Sequence, residues 1–125
     1  MVREAVGGNV LLRSIVALLD CEVICGHEVL DIEVPFCFAA DLMSDVLAFS
    51  APDSLLITGL TSVQAVHTAH VADCRGILFV SGKQPSPEAL KLARDNSIPL
   101  LATAHSMADS CGILLHHGLS PASKA

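Results

Sequence analysis

Between residues 54 and 117 the chain alternates, three times in succession, a short unbroken apolar run with a longer segment of helical spacing. "SLLIT" (54–58) leads through Gly59 into "TSVQAVHTAHVAD" (61–73), and "GILFVS" (76–81) leads through Gly82 and Pro85 into a helical segment at 87–96. "IPLLAT" (98–103) leads into a last helix from Ser106 to His117, which Gly118 stops. Apolar runs without polar alternation are strands covered on both faces. Strands joined by single helices are parallel, because each crossover returns the chain to the same end of the sheet. The pattern predicts an α/β fold, a three-layer-like domain with a mainly parallel sheet of about 4–5 strands covered by helices.

Local signals agree with that frame. Ser86 is placed to cap the helix at 87–96, and Pro87 suits its first position. Thr61 and Gln64 have capping-box spacing. Upstream, "NVLLRSIVALL" (9–19) reads as an amphipathic helix ended by Asp20, and "CEVIC" (21–25) as a strand closed by Gly26. Residues 29–38 are extended and irregular, since Pro35 forbids a helix through them. "AADLMSDVLAF" (39–49) is helical, and Pro52-Asp53 is a turn. A chain of 125 residues makes one domain. We divide it into an N-terminal segment (1–8), a single domain (9–119) and a loose C-terminal tail (120–125). The hydrophobic fraction is 52% with no Trp or Tyr, so the core is aliphatic.

Charge excludes two partner classes. With a net charge of −6 and only seven scattered Lys and Arg, no basic stripe exists for nucleic acid or an anionic membrane. No apolar run approaches the ~18 residues of a membrane span. Arg13 interrupts the run at 9–19 and no cleavage site follows, so no signal peptide is expected. Five cysteines, an odd number, suggest reduced thiols in the cytoplasm.

In an open α/β sheet, ligands bind beyond the carboxyl ends of the strands, where helix starts present free amides. Those positions hold Gly59, Thr61 and Ser62, Gly82 and Lys83, and Thr103, His105 and Ser106, a set suited to phosphate or carboxylate. The same residues also serve as ordinary caps and turns in any fold of this kind. "SGK" at 81–83 is not a nucleotide phosphate loop: the upstream Gly is missing and Gln84 follows Lys83. His67, His70 and Cys74 share one helix face, which largely overlaps the face that must cover the sheet. Cys21, Cys25 and His27 spread over ~20 Å of strand, too far to close one metal tetrahedron. Cys111 reads either as a buried filler or as a reactive thiol. No metal and no catalytic set is expected.

"LDIEVPFCFAADLMSDVL" (30–47) carries four carboxylates. Asp41 and Asp45 are i, i+4 on the expected helix, with Asp41 in its first turn, where free amides and the dipole favour a carboxylate. Asp31 and Glu33 alternate on an extended segment facing solvent.

That stretch, followed in order by "LLITGL", "GILFVSGKQP", "IPLLAT" and "SMADSCGILLHHGL", resembles a DRTGG domain over residues ~9–119. The family is related in fold to the N-terminal domain of HPr kinase/phosphorylase. Its members occur alone or fused to CBS domains, and the stand-alone ones have no established catalytic activity. The resemblance implies a regulatory or ligand-sensing module, often dimeric. The name-giving motif is degenerate: Asp31 matches its Asp, Ile32 stands for Arg, Pro35 for Thr, and Phe36-Cys37 for the Gly pair. The forked anion donor and the flexible Gly loop are gone, and the Pro-Phe-Cys-Phe run points to packing or a protein partner.

The expectation is therefore a non-catalytic regulatory or interaction module without cofactor, a homodimer with a possible protein partner. One alternative is a binding domain for a small anionic metabolite or nucleotide at the strand ends. A second is a Cys/His metal or redox protein.

Overall fold

A computed structural model of the chain describes residues 10–122. The N-terminal segment at 1–8 and the last three residues of the expected tail lie outside the described residues. In chain order the elements are β1 (Val10–Leu11), α1 (Leu12–Leu18), β2 (Glu22–Cys25), β3 (Glu33–Val34), β4 (Phe36–Ala39) and α2 (Met43–Phe49). There follow β5 (Ser54–Thr58), α3 (Val63–Val71), β6 (Gly76–Phe79), α4 (Pro87–Asp95), β7 (Leu100–Ala102), α5 (Met107–His116) and β8 (Ser120–Pro121).

The main sheet runs β2-β7-β6-β5-β4-β8, with β1 and β3 pairing apart from it. Its heart is the parallel set β4 to β7, and only β2 enters antiparallel, against β7. Both faces are buried, and neighbouring residues on a strand go to opposite sides. Leu55, Ile57, Leu78 and Leu101 meet α1 and α5 on one face. Leu56, Ile77, Phe79 and Leu100 meet α2, α3 and α4 on the other. This division follows from crossover handedness. From β4 to β7 the order steps one way, so right-handed crossovers put α2, α3 and α4 on one face, and α5, returning to the far edge, must use the other.

Three local readings change. The helix expected at 39–49 begins only at Met43, because Phe36–Ala39 is a strand in register with Ser54–Ile57. Alternation explains it: Cys37 joins one core and Phe38 the other, which a helix could not achieve. The helix expected at 9–19 starts at Leu12, since Val10–Leu11 pairs with Glu33–Val34. Residues 120–122 are not loose. Ser120–Pro121 pairs parallel to Phe36–Cys37, Ala122 donates to the Cys37 carbonyl at 2.9 Å, and its own carbonyl accepts from Ala51 at 2.9 Å.

Helix stops follow one device. After α1, α3, α4 and α5 the chain turns through a left-handed residue, respectively Asp20 (φ 49°), Asp73 (φ 57°), Ser97 (φ 56°) and Gly118 (φ 115°). In each case the next residue's amide reaches back into the last helical turn, as Cys74 does to Ala69 and Ile98 to Ala93, both at 2.9 Å.

Candidate functional site

The loop after β6 leads to one face of the sheet and the loop after β7 to the other, so they part at the β6–β7 carboxyl ends. That divergence is where an open α/β sheet makes its ligand crevice. Here the crevice is laced shut. Ser81 (φ 60°) and Gly82 (φ 71°) turn their amides inward, donating to the carbonyls of His105 at 2.8 Å and Thr103 at 2.9 Å. The Lys83 amide donates to the Val80 carbonyl at 3.2 Å. Thr103 is buried, its hydroxyl donating to the Leu19 carbonyl at 2.7 Å and accepting from the His105 amide at 3.3 Å. Ser106 accepts from the Asp109 amide at 3.1 Å and caps α5. Gly82, Thr103, His105 and Ser106 are thus brought together, but with their backbone or hydroxyl groups turned into the protein.

One strand over, at the end of β5, two charged residues, Asp41 and Lys83, stand exposed. Asp41, two residues past β4, reaches across to that end. Its Oδ1 accepts from the Gly59 amide at 2.7 Å and from the Thr58 hydroxyl at 3.1 Å. The same hydroxyl accepts from the Leu60 amide at 3.1 Å, so Thr58 is fixed as a donor to Asp41. Asp41 is therefore not the helix start expected of it. It lies outside α2, and Asp45 takes the first-turn position near the dipole.

Gly59 keeps the space above this seat open. A Cβ there would lie 3.2 Å from Lys83 Nζ and 3.5 Å from Asp41 Oδ1, so ammonium and carboxylate flank one point over the Gly59 backbone. Thr61 and Ser62 border it at the start of α3. The Thr61–Gln64 capping box does not form: Ser62 is the N-cap and makes no side-chain cap bond. The Ser86 amide donates to the Thr61 carbonyl at 3.0 Å and holds the Lys83 loop against this end. Sequence reasoning named Gly59, Thr61, Ser62, Lys83 and Asp41 but missed Thr58, whose role depends on a carboxylate from the neighbouring strand.

The remaining motif residues are structural. Asp31 pairs with Arg13 at 2.9 Å on the surface, where such a bond contributes little. Phe36 and Cys37 lie in β4, and Pro35 accepts the Ser120 amide at 3.1 Å. Burial pushes every thiol up: Cys21 to about 12, and Cys37 and Cys74 to about 11, with Cys25 and Cys111 also raised. Among the described residues no three His, Cys, Asp or Glu side chains gather as a metal set. Cavities of about 210 and 460 Å³ open at the opposite end of the sheet, around His27 with Arg94 and around His70 with Arg75. No helix among the described residues is long and apolar enough to cross a membrane.

The family model described as the DRTGG domain matches residues 14–117. The fold is similar to the crystal structure of the CBS and DRTGG domains of the regulatory region of Clostridium perfringens pyrophosphatase, complexed with its activator diadenosine tetraphosphate. The TM-score is 0.64 at 19% sequence identity, over 84% of this chain. The match covers 45% of that structure's chain, less than half its length. No curated protein matches the sequence.

Proposed function

The chain belongs to the DRTGG domain family, and from that premise we propose that it is a non-catalytic regulatory module that senses a small anionic ligand at the end of β5. The observation carrying this reading is the Lys83 ammonium lying over Gly59, beside the start of α3 that no side chain caps. A ligand phosphate at that point meets an ammonium and a helix start. Asp41 selects against a bare anion, and a ligand that also offers a hydroxyl or amine to its carboxylate satisfies both charges. Nucleoside phosphates carry that combination, and the Clostridium regulatory region is itself complexed with a nucleotide activator. The raised thiol pKa values support a non-catalytic role, since a nucleophilic cysteine works as the thiolate. A reducing compartment such as the cytoplasm suits five free thiols.

Thermal unfolding with a panel of nucleotides, diadenosine tetraphosphate and inorganic phosphate tests the proposal. A ligand at a hundred times its Kd adds about 2.7 kcal/mol of stability. The expected result is a rise in Tm with a nucleotide that Lys83→Ala abolishes while leaving the unliganded Tm in place. A flat response across the panel overturns the reading.

A homodimer is the second reading, favoured by apolar exposure on α2 and its neighbour α3. Leu42 is 61% exposed, Phe49 50%, Leu47 49% and Val63 43%, an apolar concentration that marks interaction surfaces. Sedimentation equilibrium decides it: Leu47→Glu is expected to turn a dimer into a monomer, and a monomeric parent chain refutes it.

A further inference from the structure

At the β4–β8 edge a cavity of about 230 Å³ opens between α5 and the sheet, walled by Cys37, Phe38, Cys111, Leu115, Pro121 and Ala122. Its walls are apolar apart from two thiols, and the half-exposed Leu115 marks its mouth. Cys37 is 6% exposed on β4, and Cys111 on α5 packs against the same core cluster. Among the described residues neither thiol has a hydrogen-bond partner, whereas Cys21 and Cys25 donate theirs to the carbonyls of Ile15 and Ile98.

Topology keeps the other cysteines away. Cys21 and Cys25 flank or end β2, at the opposite side of the sheet and four strand spacings from β4, or ~19 Å. Cys74 precedes β6 and packs on the other face. A disulfide needs Cα atoms within ~7 Å, and the thiols that share one cavity wall and one core cluster are Cys37 and Cys111. The Cys111 charge adds to burial in raising the Cys37 thiol, while burial alone raises Cys111.

We propose that Cys37 and Cys111 are a redox pair, in which oxidation by a small-molecule disulfide closes a bond that staples α5 to β4. The Cys111 thiol, the more accessible of the two, loses its proton and attacks the small disulfide. A mixed disulfide forms and one small thiol leaves. The Cys37 thiol then loses its proton and attacks the Cys111 sulfur, releasing the second small thiol. The protein surrenders two hydrogens and two electrons, and the small disulfide is reduced to two thiols. Closure draws the cavity walls together and fixes the edge strand β8, whose Pro121 lines the same space. Because burial keeps both thiols protonated, the pair stays open in a reducing compartment. The exchange accelerates about tenfold per pH unit, as the thiolate fraction does.

The experiment uses the folded full chain with oxidised glutathione at pH 8 and pH 9, an acid quench, alkylation in denaturant, digestion and peptide mass spectrometry. The expected product joins the Cys37 and Cys111 peptides, with alkyl groups on Cys21, Cys25 and Cys74 and faster formation at the higher pH. Cys37→Ala is expected to trap glutathione on Cys111. Glutathione persisting on Cys111 of the parent chain, alkylation of both cysteines, or cross-links through any other cysteine each overturn the proposal.

Discussion

Asp41 and Thr58 stand 17 residues apart in sequence, and their interaction separates two roles for the carboxylate. If Asp41 holds the end of β5, its removal and that of the Thr58 hydroxyl must be coupled. If it merely starts α2, they must be independent. Thr58 is fully buried, and its hydroxyl gives to Asp41 while receiving from Leu60. Thr58→Val keeps the shape but leaves the Leu60 amide and one Asp41 bond unmet, for a loss of about 1–2 kcal/mol. Asp41→Ala removes an acceptor with bonds of 2.7 and 3.1 Å. Solvent competes for that exposed carboxylate, so the loss is about 1 kcal/mol rather than the upper range for charged bonds. The double variant should be less destabilised than the sum, by about 0.5–1 kcal/mol, because the shared bond is lost only once.

Urea unfolding followed by far-ultraviolet circular dichroism is the assay, since the chain has no Trp or Tyr to report by fluorescence. At an m-value of about 1.5 kcal/mol/M the coupling corresponds to roughly 0.3–0.7 M in midpoint. Additivity within ~0.3 kcal/mol refutes the role assigned to Asp41. Asp45→Ala is the control: it should cost about 0.5 kcal/mol through the α2 dipole and add to Thr58→Val without coupling.

Ser97 ends α4 at φ 56°, so Ser97→Gly should relieve the left-handed strain and raise stability by about 0.5–1 kcal/mol after the entropy cost of Gly, read as a higher Tm. Phe79 is fully buried, and Phe79→Ala should cost about 3–5 kcal/mol in urea unfolding. Alkaline pH should weaken the fold. The Cys37 thiol rises from 9.0 in the unfolded chain to about 11, so its stabilising contribution is complete below pH 9 and is lost as pH climbs toward 11. Between those values the unfolded state has released a proton that the native state keeps, a loss of up to about 1.4 kcal/mol per pH unit. Cys21 and Cys74, also raised, keep their own share of the slope, so Cys37→Ala should make it shallower without abolishing it, and an unchanged slope between pH 9 and 11 contradicts the assignment.

The central sheet was legible because β5, β6 and β7 are buried on both faces and so have unbroken apolar runs. Ser86 and Pro87 announced α4 by rules that act within one turn. What escaped notice depends on distant partners. β4 hides in "PFCFAADL", where strand alternation runs directly into a helix, and β8 is two residues long and exists only through Phe36 and Cys37. Asp41 satisfied a local rule for helix starts, yet its partners Thr58 and Gly59 arrive from the next strand. Asp20 and Gly118 are legible as helix stops, but nothing local marks the left-handed position that Asp20, Asp73 and Ser97 occupy in three of the four turns described above. Asp and Ser tolerate that conformation through local hydrogen bonding, at a cost that tertiary packing offsets.

The departure from the family motif gains a physical meaning from β4. A Gly pair would leave Phe36-Cys37 flexible, whereas these residues now form a strand paired with β5 on one side and β8 on the other. That single strand carries Cys37 into the cavity beneath α5 and, two residues past its end, delivers Asp41 to the β5 carboxyl end. A staple between Cys37 and Cys111 would therefore act on the same strand that positions Asp41. Ligand binding at Lys83 and oxidation at Cys37 should then be thermodynamically linked, each changing the other's free energy by the same amount. Measuring nucleotide affinity in the reduced and cross-linked chain tests the link, and equal affinities would mean that β4 is too rigid to transmit the change.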